Sequence, residues 1–408
     1  MTDSPDPLLT TSAGHIFQLF RQGRVRTRRE LMLLTGLSRS TVMQRVGALL
    51  TAGYLREGGT EASTGGRPPT ALTPNDAAKT ILAADLGATH GRLAVLDGAG
   101  QTLADKTIES RIATGPDAVL EFVCSALASL LEDSGRDPAQ VCGVGVGLPG
   151  PVDGIAGRPV QPPIMPGWDD YPVREAVGRH FRAPVFVEND ANLMALGEAA
   201  LCYPDIHSLL FVKVATGIGA GLVIGGRVYN GVDGGAGDIG HVRVPAAEEH
   251  RCSCGADGCL AAVASGAAIA RELKDRGWPT ETSRDVVRLV QEGNGDAVKA
   301  TRQSGRLLGK VLATAVSLLN PGALILGGDM AFTHEHFLAG LRESLYQRTQ
   351  PLATRSLHIS TSRLGDHAGV AGAAVMVRET VFSATAIDRA LADDAADADP
   401  DMPPLLRL

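Results

Sequence analysis

Residues 85–97 read DLGATHGRLAVLD. The apolar run leading into them, TILAADLG (80–87), and the run leaving them, RLAVLD (92–97), predict two strands joined by a tight turn of small and polar residues. In such a turn Gly87 and Thr89 let backbone amides approach a phosphate, while Asp85 at the strand end can hold a cation-bound water. The device recurs in VATGIGAGLVIGG (214–226), where Thr216, Gly217 and Gly219 leave a bare backbone between two strands. A third glycine pair, Gly327-Gly328, follows the apolar run of ALILGG (323–328). One such turn marks any hairpin. Three at strand ends, with the acid-bearing segment Glu188-Asn189-Asp190 between the first two, predict phosphate handling.

Working outward, apolar runs such as VCGVGVGLPG (141–150), PVFVEND (184–190) and LLFVKVATG (209–217) alternate with helical patterns. Continuous apolar strands separated by helices mean buried sheets in α/β layers. This order of turns resembles the two-lobed architecture of sugar kinases and actin, a ribonuclease H-like α/β fold. With 408 residues the chain exceeds a single core. The expected division is a head over 1–75, a two-lobed domain over 76–384 and a flexible Ala- and Asp-rich tail over 385–408. At 44% hydrophobic and 20% charged residues, disordered and fibrous classes are excluded. The longest apolar run, Val311 to Gly327, is broken at Asn320-Pro321, and the N-terminus has no basic segment followed by an apolar one. A cytoplasmic protein with no membrane partner is therefore expected.

Charge is unevenly spread. Residues 1–75 hold nine arginines, no lysine and five acids, whereas the chain as a whole carries −7. A basic head on an acidic body points to an anionic partner for the head alone. Ile16, Phe17, Leu19 and Phe20 share one face of a first helix. Thr27 is placed to cap a second, from Arg28 to Thr35, burying Leu31 and Leu34. After the turn Gly36-Leu37-Ser38, a third helix capped by Ser38 turns Val42, Val46, Leu49 and Leu50 inward. Its outward residues are Arg39, Ser40, Thr41, Gln44 and Arg45, types that pair with base edges and phosphates. Tyr54-Leu55-Arg56 and Thr70-Ala71-Leu72 flank a Gly-rich stretch and predict a two-stranded wing, with Arg67 able to enter a minor groove. This is a winged helix-turn-helix, with Arg28, Ser38, Arg39, Ser40, Thr41, Gln44, Arg45 and Arg67 as candidate DNA contacts. A three-helix protein-interaction module is the alternative.

Three of the six cysteines fall within eight positions: Cys252, Cys254 and Cys259. With the imidazole of His241 they make a closed Cys3His set, the usual complement of structural zinc. His250 competes for the fourth place.

The stretch from Val214 to Val244, the VENDAN segment (187–192) and the cluster CSCGADGCL (252–260) resemble the ROK family of repressors, open reading frames and sugar kinases. With the helix-turn-helix and GGRPP ahead of it, the chain is similar to ROK repressors that respond to a sugar, over about residues 14–380. The resemblance implies that Asp190 matches the kinases' catalytic base. It also implies that Asn189 and His241 match sugar contacts, and that Asp238 stands where the family usually has a sugar-binding Glu. Departures accumulate at the same place. Ala88 and Ala220 interrupt the phosphate turns, Ala261 replaces a sugar-contacting Glu and Pro163 replaces an Asn. Each lost charged acceptor removes a hydrogen bond of roughly 1.5–3 kcal/mol. In-line transfer suffers more from that than binding does, and Asp190 can equally bond a sugar without transferring anything.

The expectation is a repressor of carbohydrate genes with operator DNA as partner, a sugar or sugar-phosphate effector between the lobes, and a homodimer or homotetramer as the assembly. Structural zinc is its expected cofactor, with ATP and Mg²⁺ left open. The alternatives are an active ATP-dependent sugar kinase carrying an accessory DNA-binding head, and a repressor controlled by a protein partner.

Overall fold

The computed structural model describes residues 12–60, 70–109, 111–333 and 335–398. Ser12, Thr27 and Ser38 stand in extended backbone, and each accepts a bond from the amide three residues on. Each therefore opens a helix: α1 (Ala13–Arg21), α2 (Arg28–Thr35) and α3 (Arg39–Thr51). Gly36 ends α2 at φ +69°, the left-handed conformation that turns the chain into α3. Ile16, Phe17, Leu19, Phe20, Leu31, Val42, Val46 and Leu49 are buried and form this core. Leu34, expected inside, is 47% exposed, because the two turns of α2 present only Leu31 inward. β1 (Leu55–Thr60) and β2 (Thr70–Pro74) pair antiparallel as the wing, with Glu57 opposite Leu72. Residues 61–69, Arg67 among them, lie outside the described residues.

β3 (Thr80–Leu86) is buried at every position and returns as β4 (His90–Asp97) and β5 (Thr102–Glu109). After α4 (Pro116–Asp133) come β6 (Val141–Leu148), a short ribbon of β7 (Val152–Asp153) and β8 (Arg158–Pro159), α5 (Val173–Gly178) and β9 (Val185–Asn189). The sheet order is β5-β4-β3-β6-β9, with β4 and β5 antiparallel and β6 and β9 parallel. α6 (Asp190–Cys202) leads to the second sheet, made of β10 (Ser208–Val214), β11 (Ile218–Ile224) and β12 (Arg227–Val228). Its remaining strands, β13 (Ala323–Gly327) and β14 (His358–Thr361), follow the helices α7 (Ala261–Ala264), α8 (Gly266–Asp275), α9 (Ser283–Gln291) and α10 (Gly295–Leu319), and are separated by α11 (Glu335–Arg348) and α12 (Pro351–Thr354). The order β12-β11-β10-β13-β14 repeats that of the first sheet: an antiparallel hairpin, then two parallel strands.

α13 (Ala368–Val381) crosses α6 so closely that glycine is required at the crossing. A Cβ at Gly372 would lie 1.8 Å from the Leu193 carbonyl oxygen, and one at Gly197 2.6 Å from that of Ala368. Of the tail expected to be flexible over 385–408, the described part is instead helical, as α14 (Ala384–Ala398), and residues 399–408 lie outside the described residues. Ala384, Ile387 and Leu391 recur at helical spacing amid the polar residues. Ile387 is buried, and Asp388 accepts a bond from the Gly14 amide at 2.7 Å, so α14 belongs to the head. The chain divides into two compact units, one of residues through Ile81, 97–101 and from Val377, the other of the remainder. The expected boundaries near 75 and 385 shift accordingly. Among the described residues no single helix is long and apolar enough to cross a membrane.

Gly372→Ala places its methyl on backbone that cannot turn aside. It is expected to destabilise the protein by about 1–3 kcal/mol, the usual cost of overpacking. Unchanged thermal unfolding followed by circular dichroism would show that α6 and α13 do not meet backbone to backbone.

Candidate functional site

In the larger unit, a cavity of about 870 Å³ opens where the strands of both sheets end, a size suited to a small ligand. The structure brings the three glycine turns to its wall: Asp85, Gly87 and Thr89, then Thr216, Gly217 and Gly219, then Gly328. Asn189, Asp190, Asp238 and His241 line the same space. So do the residues at which the chain departs from the kinase pattern: Ala88, Pro163, Ala220, Asp238 and Ala261. The turns are closed by backbone bonds, Gly87 N to His90 O at 2.8 Å and Ala215 N to Gly217 O at 2.9 Å.

Asn189 has two structural duties besides facing the cavity. Its carbonyl oxygen caps α6 by accepting from Asn192 N at 3.2 Å, and its amide donates to Gly150 O at 2.9 Å. Behind it Glu188 is clamped by the side-chain amides of Asn192 at 3.0 Å and Asn230 at 2.9 Å. Asp190, 5% exposed, accepts from the Ala191 amide at 2.7 Å through one oxygen and pairs with the Lys213 ammonium through the other. Lys213 sits in the β10 run SLLFVKV. Burial pulls its pKa down, but the Asp190 and Asp85 charges more than offset this and hold it above the ordinary value. For Asp85 burial dominates and pushes the carboxyl up to about 7, against the pull of Lys213.

Also lining the cavity, buried Asp329 follows Gly328 and accepts a hydrogen bond from the Ser283 hydroxyl. Arg284 Nε lies 3.4 Å and His90 Nε2 3.9 Å from its other oxygen. Burial holds the His90 imidazole below its ordinary pKa, with Asp329 opposing. Lys213, Asp329, Arg284 and His90 were all missed in the sequence. Lys213 carried a readable signal, since a lysine inside a buried apolar strand must have a partner. His90 and Asp329 directly follow Thr89 and Gly328, so the glycine turns already placed them beside the site, whereas Arg284 comes near it only through folding.

His241, Cys252, Cys254 and Cys259 bring their donor atoms within 4.8 Å of one another. Cys252 Sγ is 3.6 Å from His241 Nδ1, and Cys254 Sγ is 3.7 Å from Cys259 Sγ. Ligands on a tetrahedral zinc with bonds of about 2.3 Å to sulfur and 2.0 Å to nitrogen stand roughly 3.5–3.8 Å apart, so these donors fit such an ion. His250 is exposed and outside the cluster. The His241 ring turns Nδ1 to the thiols, while Nε2 lies 4.0 Å from Asp238 Oδ1.

In the head, Arg39, Ser40 and Gln44 are exposed along α3. The Ser38 hydroxyl is spent on the cap and on the hydroxyls of Ser40 and Thr41. Thr41 and Arg45 are half-buried, and Arg28 is tied to Glu57 of the wing at 3.2 Å. Arg29 and Met43, absent from the sequence prediction, join Arg28 and Arg39 around a shallow concavity of about 330 Å³.

Comparison with known proteins follows this division. The ROK family pattern matches residues 81–380. The xylose repressor of Caldicellulosiruptor bescii is 27% identical over 382 residues, 90% of this chain and 95% of its own. A crystal structure of a ROK family transcriptional regulator, a homologue of the Escherichia coli MLC protein, superposes with a TM-score of 0.78 at 25% identity, covering 95% of this chain and all of that one. A ROK glucokinase from Streptomyces griseus, solved with glucose and AMPPNP, gives a TM-score of 0.65 at 27% identity, covering 74% of this chain and 99% of that one. The body is thus the actin-like fold of the sugar kinases, the regulators extend over the head as well, and this chain belongs to the ROK family.

Proposed function

We propose that the protein is a DNA-binding transcriptional regulator, a repressor of carbohydrate genes, whose grip on DNA is set by a sugar or sugar phosphate held in the cavity. The observation that carries this reading is one chain holding both parts. A capped reading helix exposes Arg39, Ser40 and Gln44, and a kinase-type cavity has its acid Asp190 paired to a lysine. Repressors match the chain over about nine-tenths of its length, whereas the glucokinase matches three-quarters of it.

In this reading α3 enters the major groove, where Arg39 pairs with guanine and Gln44 with adenine edges. The wing lies along the backbone. Sugar hydroxyls bond Asp190, Asp238 and the Nε2 of His241. A structural zinc on Cys252, Cys254, Cys259 and His241 Nδ1 fixes that ring, so one histidine serves both ion and ligand. Two heads of a homodimer read half-sites about 34 Å apart. A coupling of about 1–3 kcal/mol between ligand and DNA then changes operator affinity roughly 5- to 150-fold. The second reading, an ATP-dependent sugar kinase, is favoured only by the survival of Asp190 and the glycine turns.

Division of labour is testable with two variants. Arg39→Ala is expected to weaken binding to a DNA fragment selected by the wild-type chain by about 1–3 kcal/mol in fluorescence anisotropy. It should keep the thermal shift given by whichever pentose, hexose or N-acetylhexosamine stabilises the wild type. Asp190→Asn is expected to lose that shift and keep DNA binding without sugar. If both variants lose both properties, head and cavity do not act separately. Steady ADP release with ATP, Mg²⁺ and any sugar of the panel would promote the kinase reading. Cys259→Ser is expected to drop bound zinc, measured by mass spectrometry of the metal, from about one per chain towards none. It should take the sugar response with it; an intact sugar response at zero zinc would uncouple ion from ligand.

A further inference from the structure

The floor of the cavity holds a charge arrangement that sugar binding does not by itself require. Lys213 is the sixth residue of β10, and its side chain is 16% exposed. Its ammonium is ion-paired with Asp190. Asp85 interacts with the same ammonium and with Asp190. One oxygen of Asp85 is buried without a hydrogen-bond partner among the described residues. Glycine backbone closes round both oxygens of that carboxylate: a Cβ at Gly147 would lie 3.0 Å from Oδ1, and one at Gly369 2.0 Å from Oδ2. Among the described residues, the basic group that acts on Asp85 is Lys213.

Mg²⁺ and ATP, implied by the likeness to kinases, do not fit this floor as it stands. A divalent ion between Asp85 and Asp190 would compete for an oxygen the ammonium already uses. It would also stand beside that ammonium in a buried site, where like charges repel strongly. Transferring a sugar proton to Asp190 would neutralise the partner of a buried lysine, a change that costs far more inside a protein than in water. The pair can still bind a sugar, since the carboxylate keeps lone pairs for hydroxyl donors and the ammonium donates to hydroxyl oxygens.

We propose that Lys213 is a built-in counter-ion that stands in for a divalent cation between Asp85 and Asp190, so that the cavity takes its sugar without metal and without proton transfer. The inference rests on the cavity being the ligand site proposed above, but its test needs neither sugar nor DNA, so the two readings fail separately.

The test is a titration of the full, zinc-loaded chain with Mn²⁺, free ion being read by electron paramagnetic resonance. Wild type and Asp190→Asn are expected to give the same isotherm. Lys213→Met, which removes the charge and keeps the stem, is expected to gain a Mn²⁺ site about 10- to 100-fold tighter than any in the wild type. Lys213→Met combined with Asp190→Asn should lose it. A Mn²⁺ site in the wild type that Asp190→Asn abolishes overturns the proposal, and so does a folded Lys213→Met that gains nothing. If Lys213→Met does not fold, wild type against Asp190→Asn decides: coincident isotherms support the counter-ion, and an Asp190-dependent site refutes it.

Discussion

Helix α6 can present Asp190 at the cavity floor only because neighbouring backbones touch it on two sides. A Cβ at Gly221 of β11 would come within 2.5 Å of the Ala191 carbonyl oxygen, and one at Gly372 of α13 within 1.8 Å of that of Leu193. Glycine at these points trades side-chain contact for close approach, and the helix gains a fixed height between sheet and helix. The Asn189 cap then fixes its first turn. From that placement the Asp190 carboxylate reaches Lys213, and Asp85 acts on both.

The electrostatics distinguish this floor from one built for phosphoryl transfer. A transfer site concentrates free acids so that a metal ion and a hydroxyl proton can be managed there. Here one acid is already neutralised by an ammonium, and the other sits where burial favours its protonated form. Buried ion pairs contribute little net stability but cost much when one partner is removed. Such a pair suits recognition, in which nothing need change protonation, better than turnover.

The His/Cys cluster shows the same economy. One imidazole points Nδ1 at the thiols and Nε2 at Asp238 on the cavity wall. The ring cannot rotate to suit a ligand without disturbing the other donors, so a shape preference is built into the loop that carries it. The head has its own coherence, since α14 from the far end of the chain packs on α1 and completes the unit that holds the reading helix.

Local pattern was enough for much of this. The three glycine turns, the caps Thr27 and Ser38, the wing strands and the Cys3His spacing are all readable in order along the chain, because each depends on residues within about twenty positions of one another. Tertiary structure decided the rest. Leu34 turned outward because α2 presents only Leu31 to the head core. The Ala- and Asp-rich stretch 384–398 became a packed helix because α1 supplies the surface that its sparse apolar stripe needs. Lys213 acquired its meaning only when Asp190, 23 positions earlier, and Asp85 on another sheet were brought to it. Sequence alone determined which chemical groups the protein owns and which turns present them. Which charges neutralise each other was settled by folding, because Coulomb forces in a buried site depend on distances in space that no periodicity encodes.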